Sequence, residues 1–476
     1  MHDIRYVCLS DLHFGEEDSL LTDLKVAKPE VNPYAASPVM QALVRCLRSL
    51  IQKNENQQTR PTLILAGDIL ELALSNINVA AMVFEQFVLQ VVPKKSENRI
   101  FDKIVYVPGN HDHHLWEWAR ETQYRQFIQA HPDMEVLPIP WHKTRMFPRI
   151  PVPAGFLNTV IQRHNHLNQY SIDTVYPNCG LQNPDGSHLA VITHGHLIEP
   201  LYRAMSYLKE VILEKRMPSD IDGIESENFA WIDFFWSSLG RSGEAGRGVE
   251  TIYEKMKNED AFRKGLKKTA RNLAEKEDLP GWGDWMEAGI LNGIFQSMYT
   301  FLQKRERKTK AVQTETVKMA LKKYISETIY NQFVEDRSRG GKEVDPLEVT
   351  FIFGHTHKPY SEISAVKPFP KWVNIYNTGG WVIEGTEIEP RYGAAVVLLD
   401  EELNSVALRM YNDGDAGFDF DRQVETADKN TNPLFDRVHK LVKSNKALWN
   451  QFAGEAKIAA EKRKEHFLDR IHGLHL

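Results

Sequence analysis

Asp11-Leu12-His13, Gly67-Asp68, Gly109-Asn110-His111-Asp112, His194-Gly195-His196 and Gly354-His355-Thr356-His357 are five separated segments rich in side chains that bind divalent cations. Imidazole, carboxylate and amide donors with no thiolate suit Mn²⁺, Fe, Zn²⁺ or Ni²⁺ and disfavour a soft-metal centre. Two such ions about 3.5 to 4 Å apart clamp the attacking and leaving oxygens of a phosphate during in-line displacement. Metal-assisted hydrolysis of a phosphoester is the chemistry this set of residue types points to.

Each segment closes a short apolar run: Tyr6-Val7-Cys8-Leu9, Leu63-Ile64-Leu65-Ala66, Ile104-Val105-Tyr106-Val107, Leu189-Ala190-Val191-Ile192 and Thr350-Phe351-Ile352-Phe353. Runs rich in β-branched and aromatic residues read as buried strands. Ligands of open α/β sheets gather outside the carboxyl ends of strands, where all five segments fall. Between the first two strands, Val39, Met40, Leu43, Val44, Leu47 and Leu50 repeat at helical spacing and predict a crossover helix over 37–53. Further helices are expected at 78–89 and 116–129, followed by an irregular Pro-rich stretch to about Ala154. Asn183-Pro184-Asp185-Gly186 is a strong turn signal between β-like runs over 171–192, so a hairpin should deliver His194. Strands are expected again at 372–376, 394–399 and 406–411.

The ordered series Asp-x-His, Gly-Asp, Gly-Asn-His-Asp, His and Gly-His-x-His resembles the calcineurin-like metallophosphoesterases. The resemblance covers roughly the first 200 residues and about 345–410, and the Asn377-Thr378-Gly379-Gly380 turn is similar to the turn that closes the family's second sheet. It implies an α/β fold: a two-sheet β-sandwich flanked by helices, here with a large, mainly helical insertion. The corresponding division is 1–196 and 349–427 for the core, 197–348 for the insertion or cap, and 428–476 for an amphipathic helical tail. It further implies a centre of two divalent ions, with Mn²⁺ preferred and Fe, Zn²⁺ or Ni²⁺ as alternatives. Asp68 would bridge the ions, with Asp11, His13 and His357 on one and Asn110, His194 and His355 on the other. The nucleophile would be a metal-bridging hydroxide. His111 would assist the leaving group, and Asp112 would orient the other nitrogen of His111. His113 and His114 could line the substrate mouth or start a solvated helix, and His196 could bond a ligand or sit behind one. His142, His164 and His166 read as surface or satisfied core residues.

At 476 residues the chain exceeds one ordinary core, and 42% hydrophobic with 26% charged residues is the composition of a soluble globular protein. Three scattered cysteines, Cys8, Cys46 and Cys179, exclude a disulfide framework and read as small buried hydrophobes. No run approaches the roughly 20 apolar residues of a membrane span, and the first strand, with Asp3 and Arg5 beside it, is no signal peptide. The expected location is the cytoplasm.

The insertion should select the ester. Trp231, Phe234, Phe235 and Trp236 read as core aromatics or a stacking platform, and Lys304, Arg305, Arg307, Lys308 and Lys310 as a solvated face or a phosphate contact. Trp285, Met286, Ile290, Ile294, Met298 and Leu302 recur near helical spacing, with Gly240-Arg241-Ser242-Gly243 and Arg339-Gly340-Gly341 as loops. In the tail, Phe435, Val438, Val442, Leu448, Trp449 and Phe452 form a stripe that packs on the body or on another subunit, giving a possible homo-oligomer. The leading function is hydrolysis of a small phosphoester or pyrophosphate. One variant resembles the UDP-diacylglucosamine hydrolases, although those usually carry Arg at the position of His111 and His-Gly-Asp at the block of His194. The alternatives are a nuclease of the same superfamily, disfavoured by the net charge of −6, and a non-catalytic metal-binding interaction module.

Overall fold

The computed structural model describes residues 2–25, 30–148, 150–213, 216–233, 237, 309, 311–338, 345–384, 391–412, 424–428 and 432–473. One sheet runs in the order β15 (Val424–Glu425), β14 (Ser405–Asn412), β13 (Gly393–Leu399), β1 (Tyr6–Leu9), β4 (Thr62–Ala66), β5 (Lys103–Val107), β7 (Ile172–Thr174) and β6 (Val152–Pro153). A second runs β11 (Tyr360–Ser364), β12 (Val373–Asn377), β10 (Glu348–Phe353), β9 (His188–Thr193) and β8 (Asn178–Gln182). The strands that end in candidate ligands are parallel to their like neighbours, β1 with β4 and β4 with β5 in one sheet, and β9 with β10 in the other. A small ribbon pairs β2 (Thr22–Leu24) with β3 (Val31–Ala36).

The period-2 alternation of each strand builds the layers. Val7, Leu63, Leu65, Ile104 and Tyr106 point to an outer cluster shared with helices, whereas Cys8, Ile64, Ala66, Val105 and Val107 point to the opposite face. There they meet Cys179, Ala190, Ile192, Ile352 and Tyr376 of the second sheet, so the two sheets pack face to face. The expected helices occur as Pro38–Ile51, Ile77–Val91 and His113–Ala130. The first is started by Ser37, whose side chain accepts from Met40 N–H, with Pro38 in the first turn. The expected hairpin is β8 with β9, but Ile172–Thr174 belongs to the other sheet, beside β5. Val152–Pro153 adds an edge strand where only irregular chain was expected, and proline is tolerated at an edge.

Tail helices Pro433–Ser444 and Lys446–Gly473 bury Leu434, Val438, Val442, Trp449 and Phe452 in the outer cluster of the larger sheet. Buried Arg463 donates to the carbonyls of Ser19 and Thr22. The apolar stripe therefore lies against the body of the chain.

The described parts of 197–348 pack on the second sheet. Ile221–Ile232, Glu315–Lys323 and Tyr330–Ser338 are helices, joined in the last case by a π-helical stretch, Tyr324–Ile329. Leu197, Leu201, Ile224, Ile232, Leu321, Ile325 and Phe333 pack on Leu189, Val191, Phe351 and Phe353. They form the outer helical layer of the second sheet. β9 and β10 are adjacent and parallel, and parallel neighbours require a crossover that returns over the sheet face. Trp231 is part of that core, its Nε1 donating to Leu201 O at 3.1 Å. Phe234, Phe235, Trp236, the 285–302 stripe, the two glycine segments and the basic run from Lys304 to Lys310 lie outside the described residues. Among the described residues no helix is long and apolar enough to cross a membrane.

Candidate metal centre

All nine singled-out residues converge where the two sheets present their strand ends. β1 leads to Asp11 and His13, β4 to Asp68, β5 to Asn110, His111 and Asp112, β9 to His194, and β10 to His355 and His357. Five of these take left-handed backbone angles: Asp11 (φ 50), His13 (φ 44), Asp68 (φ 49), His355 (φ 69) and His357 (φ 57). Such conformations cost roughly 1–3 kcal/mol each and turn the donors abruptly inward as each strand ends. Backbone bonds hold them: Asp11 N–H to Gly67 O at 2.9 Å, His13 N–H to Asp68 O at 2.9 Å and Gly354 N–H to His194 O at 3.0 Å. Gly67 has φ +87, and a Cβ there would overlap the His194 ring; a Cβ on Gly109 would overlap Asp68 Oδ1.

The donor atoms form two groups. Asp11, His13 and His357 make one, with His357 Nε2 at 3.3 Å from Asp11 Oδ1 and 3.2 Å from His13 Nε2. Asp68, His194 and His355 make the other, with His194 Nε2 at 3.2 Å from Asp68 Oδ2, 3.2 Å from His355 Nδ1 and 3.0 Å from Asn110 Oδ1. Asp68 Oδ2 also lies 3.9 Å from His13 Nε2, so this oxygen faces both groups. The two histidines of the last block part company: His355 joins one group and His357 the other.

These residues fit divalent cations. Donors held about 2.1 Å from one ion stand about 3.0 Å apart at a right angle and about 3.4 Å apart at the tetrahedral angle. The observed separations match. Three potential acceptor atoms crowd His194 Nε2, more than its single proton can serve, and Asn110 Nδ2 has no hydrogen-bond partner among the described residues. Burial pushes the His13 and His355 imidazoles below their usual pKa, despite Glu71 and Glu199, leaving them neutral with lone pairs to give. Burial would also lower His194, but Asp68 and Asp11 overcome it and bring that imidazole to about 9, a field that calls for a cation at Nε2. Asp68 is itself held well below the carboxylate range: burial opposes this, and His194 and His111 outweigh it.

Three glutamates that the motif reading missed stand behind the histidines. Glu71 Oε2 is 2.7 Å from His13 Nδ1, Glu199 Oε2 is 2.7 Å from His355 Nε2, and Glu384 Oε1 is 2.5 Å from His357 Nδ1. A carboxylate behind an imidazole fixes its tautomer and orientation. The only signal for Glu71 and Glu199 was an acidic residue three to five positions past a block. His194 Nδ1 instead faces Ala66 O at 3.2 Å.

The expected pairing of Asp112 with His111 is corrected. Glu71 Oε1 holds His111 Nδ1 at 2.9 Å, while the Asp112 carboxylate accepts from the backbone N–H groups of Gly109, Asp68, Ile69 and Leu70. Its neighbour in sequence is not its neighbour in space, because Asp112 points back under the Gly67–Asp68 loop. Burial, with nearby Asp68, raises its pKa to about 6. His113 is buried against Glu225, and His114, partly buried, lies beside Asp233. Buried His196 faces the Tyr176 hydroxyl at 3.3 Å. His142, His164 and His166 pair with Arg120, Glu85 and the Val92 carbonyl.

No curated protein matches the chain. The sequence model of a family described as calcineurin-like phosphoesterase matches residues 4–210, a span that contains Asp11, His13, Asp68, Asn110, His111 and His194 and stops before the Gly-His-Thr-His block. The five blocks, the two packed sheets and the matched span agree, and residues 4–210 of this chain are a calcineurin-like phosphoesterase domain.

Proposed function

We propose that the chain is a binuclear metal-dependent hydrolase of phosphoester or pyrophosphate bonds. Its domain places it in the general class of metal-dependent phosphoester hydrolases. The observation that carries the finer reading is Asp68 Oδ2, 3.2 Å from His194 Nε2 in one donor group and 3.9 Å from His13 Nε2 in the other. In this reading Asp11, His13 and His357 hold one ion, Asn110, His194 and His355 the second, and Asp68 bridges. Mn²⁺ is the ion preferred in this reading, and nitrogen and oxygen donors admit Fe, Zn²⁺ and Ni²⁺ equally. When bound, the ions supply charge neutralisation at phosphate oxygens and an activated water.

The protein's own groups do the rest. Asp68 Oδ1 accepts from His111 N–H at 2.8 Å, which fixes the rotation of the carboxylate. His111 is held by Glu71 at Nδ1, so the opposite edge of its ring is the one that protonates a departing oxygen. Asp112 positions both loops through four backbone N–H groups and touches no reacting atom.

The test is hydrolysis of paired chromogenic phosphomonoester and phosphodiester substrates by chelated, then Mn²⁺-reconstituted protein. Turnover should return with the metal and be lost in Asp68→Asn. Full metal occupancy without turnover on either ester or on a pyrophosphate would overturn it.

A further inference from the structure

The His113-His114 pair extends the Asn110-His111-Asp112 block, and the proposed centre uses neither. His114 and Glu117 lie one turn apart at the start of helix His113–Ala130, on the same face. Asp233, at the end of helix Ile221–Ile232, reaches that face. His114 Nδ1 is 3.0 Å from Glu117 Oε2, and 3.0 and 3.3 Å from the two oxygens of Asp233. The three side chains are 12%, 24% and 15% exposed, sheltered yet reachable.

A second observation points to a ligand. His113 is fully buried, and its Nδ1 has no hydrogen-bond partner among the described residues and stands 3.8 Å from Asp233 Oδ1. Its other nitrogen, Nε2, is 2.6 Å from Glu225 Oε1, and Glu225 Oε2 accepts from the Tyr176 hydroxyl at 3.0 Å. As at His13, His355 and His357, a carboxylate stands behind one nitrogen, while the other nitrogen of His113 faces the Asp233 edge of the cluster. Glu225 therefore orients His113 as a ligand is oriented.

We infer that His114, Glu117 and Asp233, with buried His113 at the edge of the cluster, form a third cation site, separate from the paired centre and taking a divalent ion of the zinc class. One imidazole and two carboxylates are a donor set that suits Zn²⁺ with a further position open. The separations of 3.0 and 3.3 Å from His114 Nδ1 lie between the edges of about 3.0 and 3.4 Å expected at right and tetrahedral angles for donors about 2.1 Å from one ion. Three carboxylates, Glu117, Glu225 and Asp233, surround two imidazoles, with the Arg120 guanidinium drawn aside over the Phe229 ring. The site joins two helices, one before and one after the His194 strand in sequence, so an ion there would fasten the helix that follows the His111 loop.

The experiment is elemental analysis of the full chain after dialysis against Zn²⁺ and desalting, with Co²⁺ absorption as a second readout. Wild type should retain about three ions per chain, and Asp233→Asn and Glu117→Gln about two. Asp68→Asn tests independence from the paired centre: Asp68→Asn/Asp233→Asn should hold about one ion fewer than Asp68→Asn alone, whether or not the pair is catalytic. Glu117 is the most exposed of the four, so Glu117→Gln guards against a folding defect in the others. Equal zinc content in wild type and both single variants, or in the Asp68→Asn single and double variants, would overturn the inference.

Discussion

Glu71 is the residue on which two tasks meet. Its Oε2 holds His13, a candidate metal donor, and both its oxygens lie within 2.9 Å of Nδ1 of His111, the candidate acid. His111→Ala should keep its metal and lose about 10²–10⁴ in kcat, most severely on substrates with poor leaving groups. Glu71→Gln should lower kcat and weaken metal retention together, by roughly 10–100-fold. Rate measurements across leaving groups of graded pKa, with metal content assayed on the same samples, check both. A flat response to leaving group in His111→Ala would reassign the proton donor. The donors were legible in the sequence because each ends an apolar run, a pairing of pattern and chemistry that few unrelated segments share. The glutamates behind them were not, since a long carboxylate reaches its partner from many backbone positions. Glu384, 27 residues past His357, carries no local mark at all.

At the scale of elements, the long strands and the helices between them followed from period and composition. What escaped were pieces too short to show a period, such as β2, β6 and β15. The packing of the described helices beyond His194 on the second sheet also carried no local mark, because nothing local distinguishes a helix that covers a site from one that covers a sheet. The tail shows how an element remote in sequence bears on the centre. Trp449 and Phe452 pack in the outer cluster, the Phe452 ring lies 6.4 Å from Trp381, and Trp381 N–H bonds Asp11 O at 3.0 Å. Trp449→Ala should cost about 3–5 kcal/mol in denaturant unfolding at constant m-value. It should also loosen metal binding at the Asp11 group more than at the His194 group.

For the molecule as a whole, each proposed ion takes donors from both sheets: Asp11 and His13 with His357, and Asn110 with His194 and His355. The middle of the sandwich is closed by apolar packing and this end by polar side chains of the proposed metal centre. Chelation should therefore lower the melting temperature as well as abolish turnover, and Mn²⁺ should restore both with the same concentration dependence. Calorimetric scans along a metal titration check this; restoration of turnover with no change in melting would show that the sheets hold together without the ions.

The left-handed backbone at Asp11, His13, Asp68, His355 and His357 has a last consequence, for inheritance and engineering. A sequence optimised for backbone comfort alone would install glycine or asparagine at these positions first, relieving strain worth roughly 1–3 kcal/mol at each while deleting the donors. Selection for thermostability without selection for turnover would thus erode this centre before it touched the core, and a descendant that had lost its chemistry would be harder to melt in chelator than the chain described above.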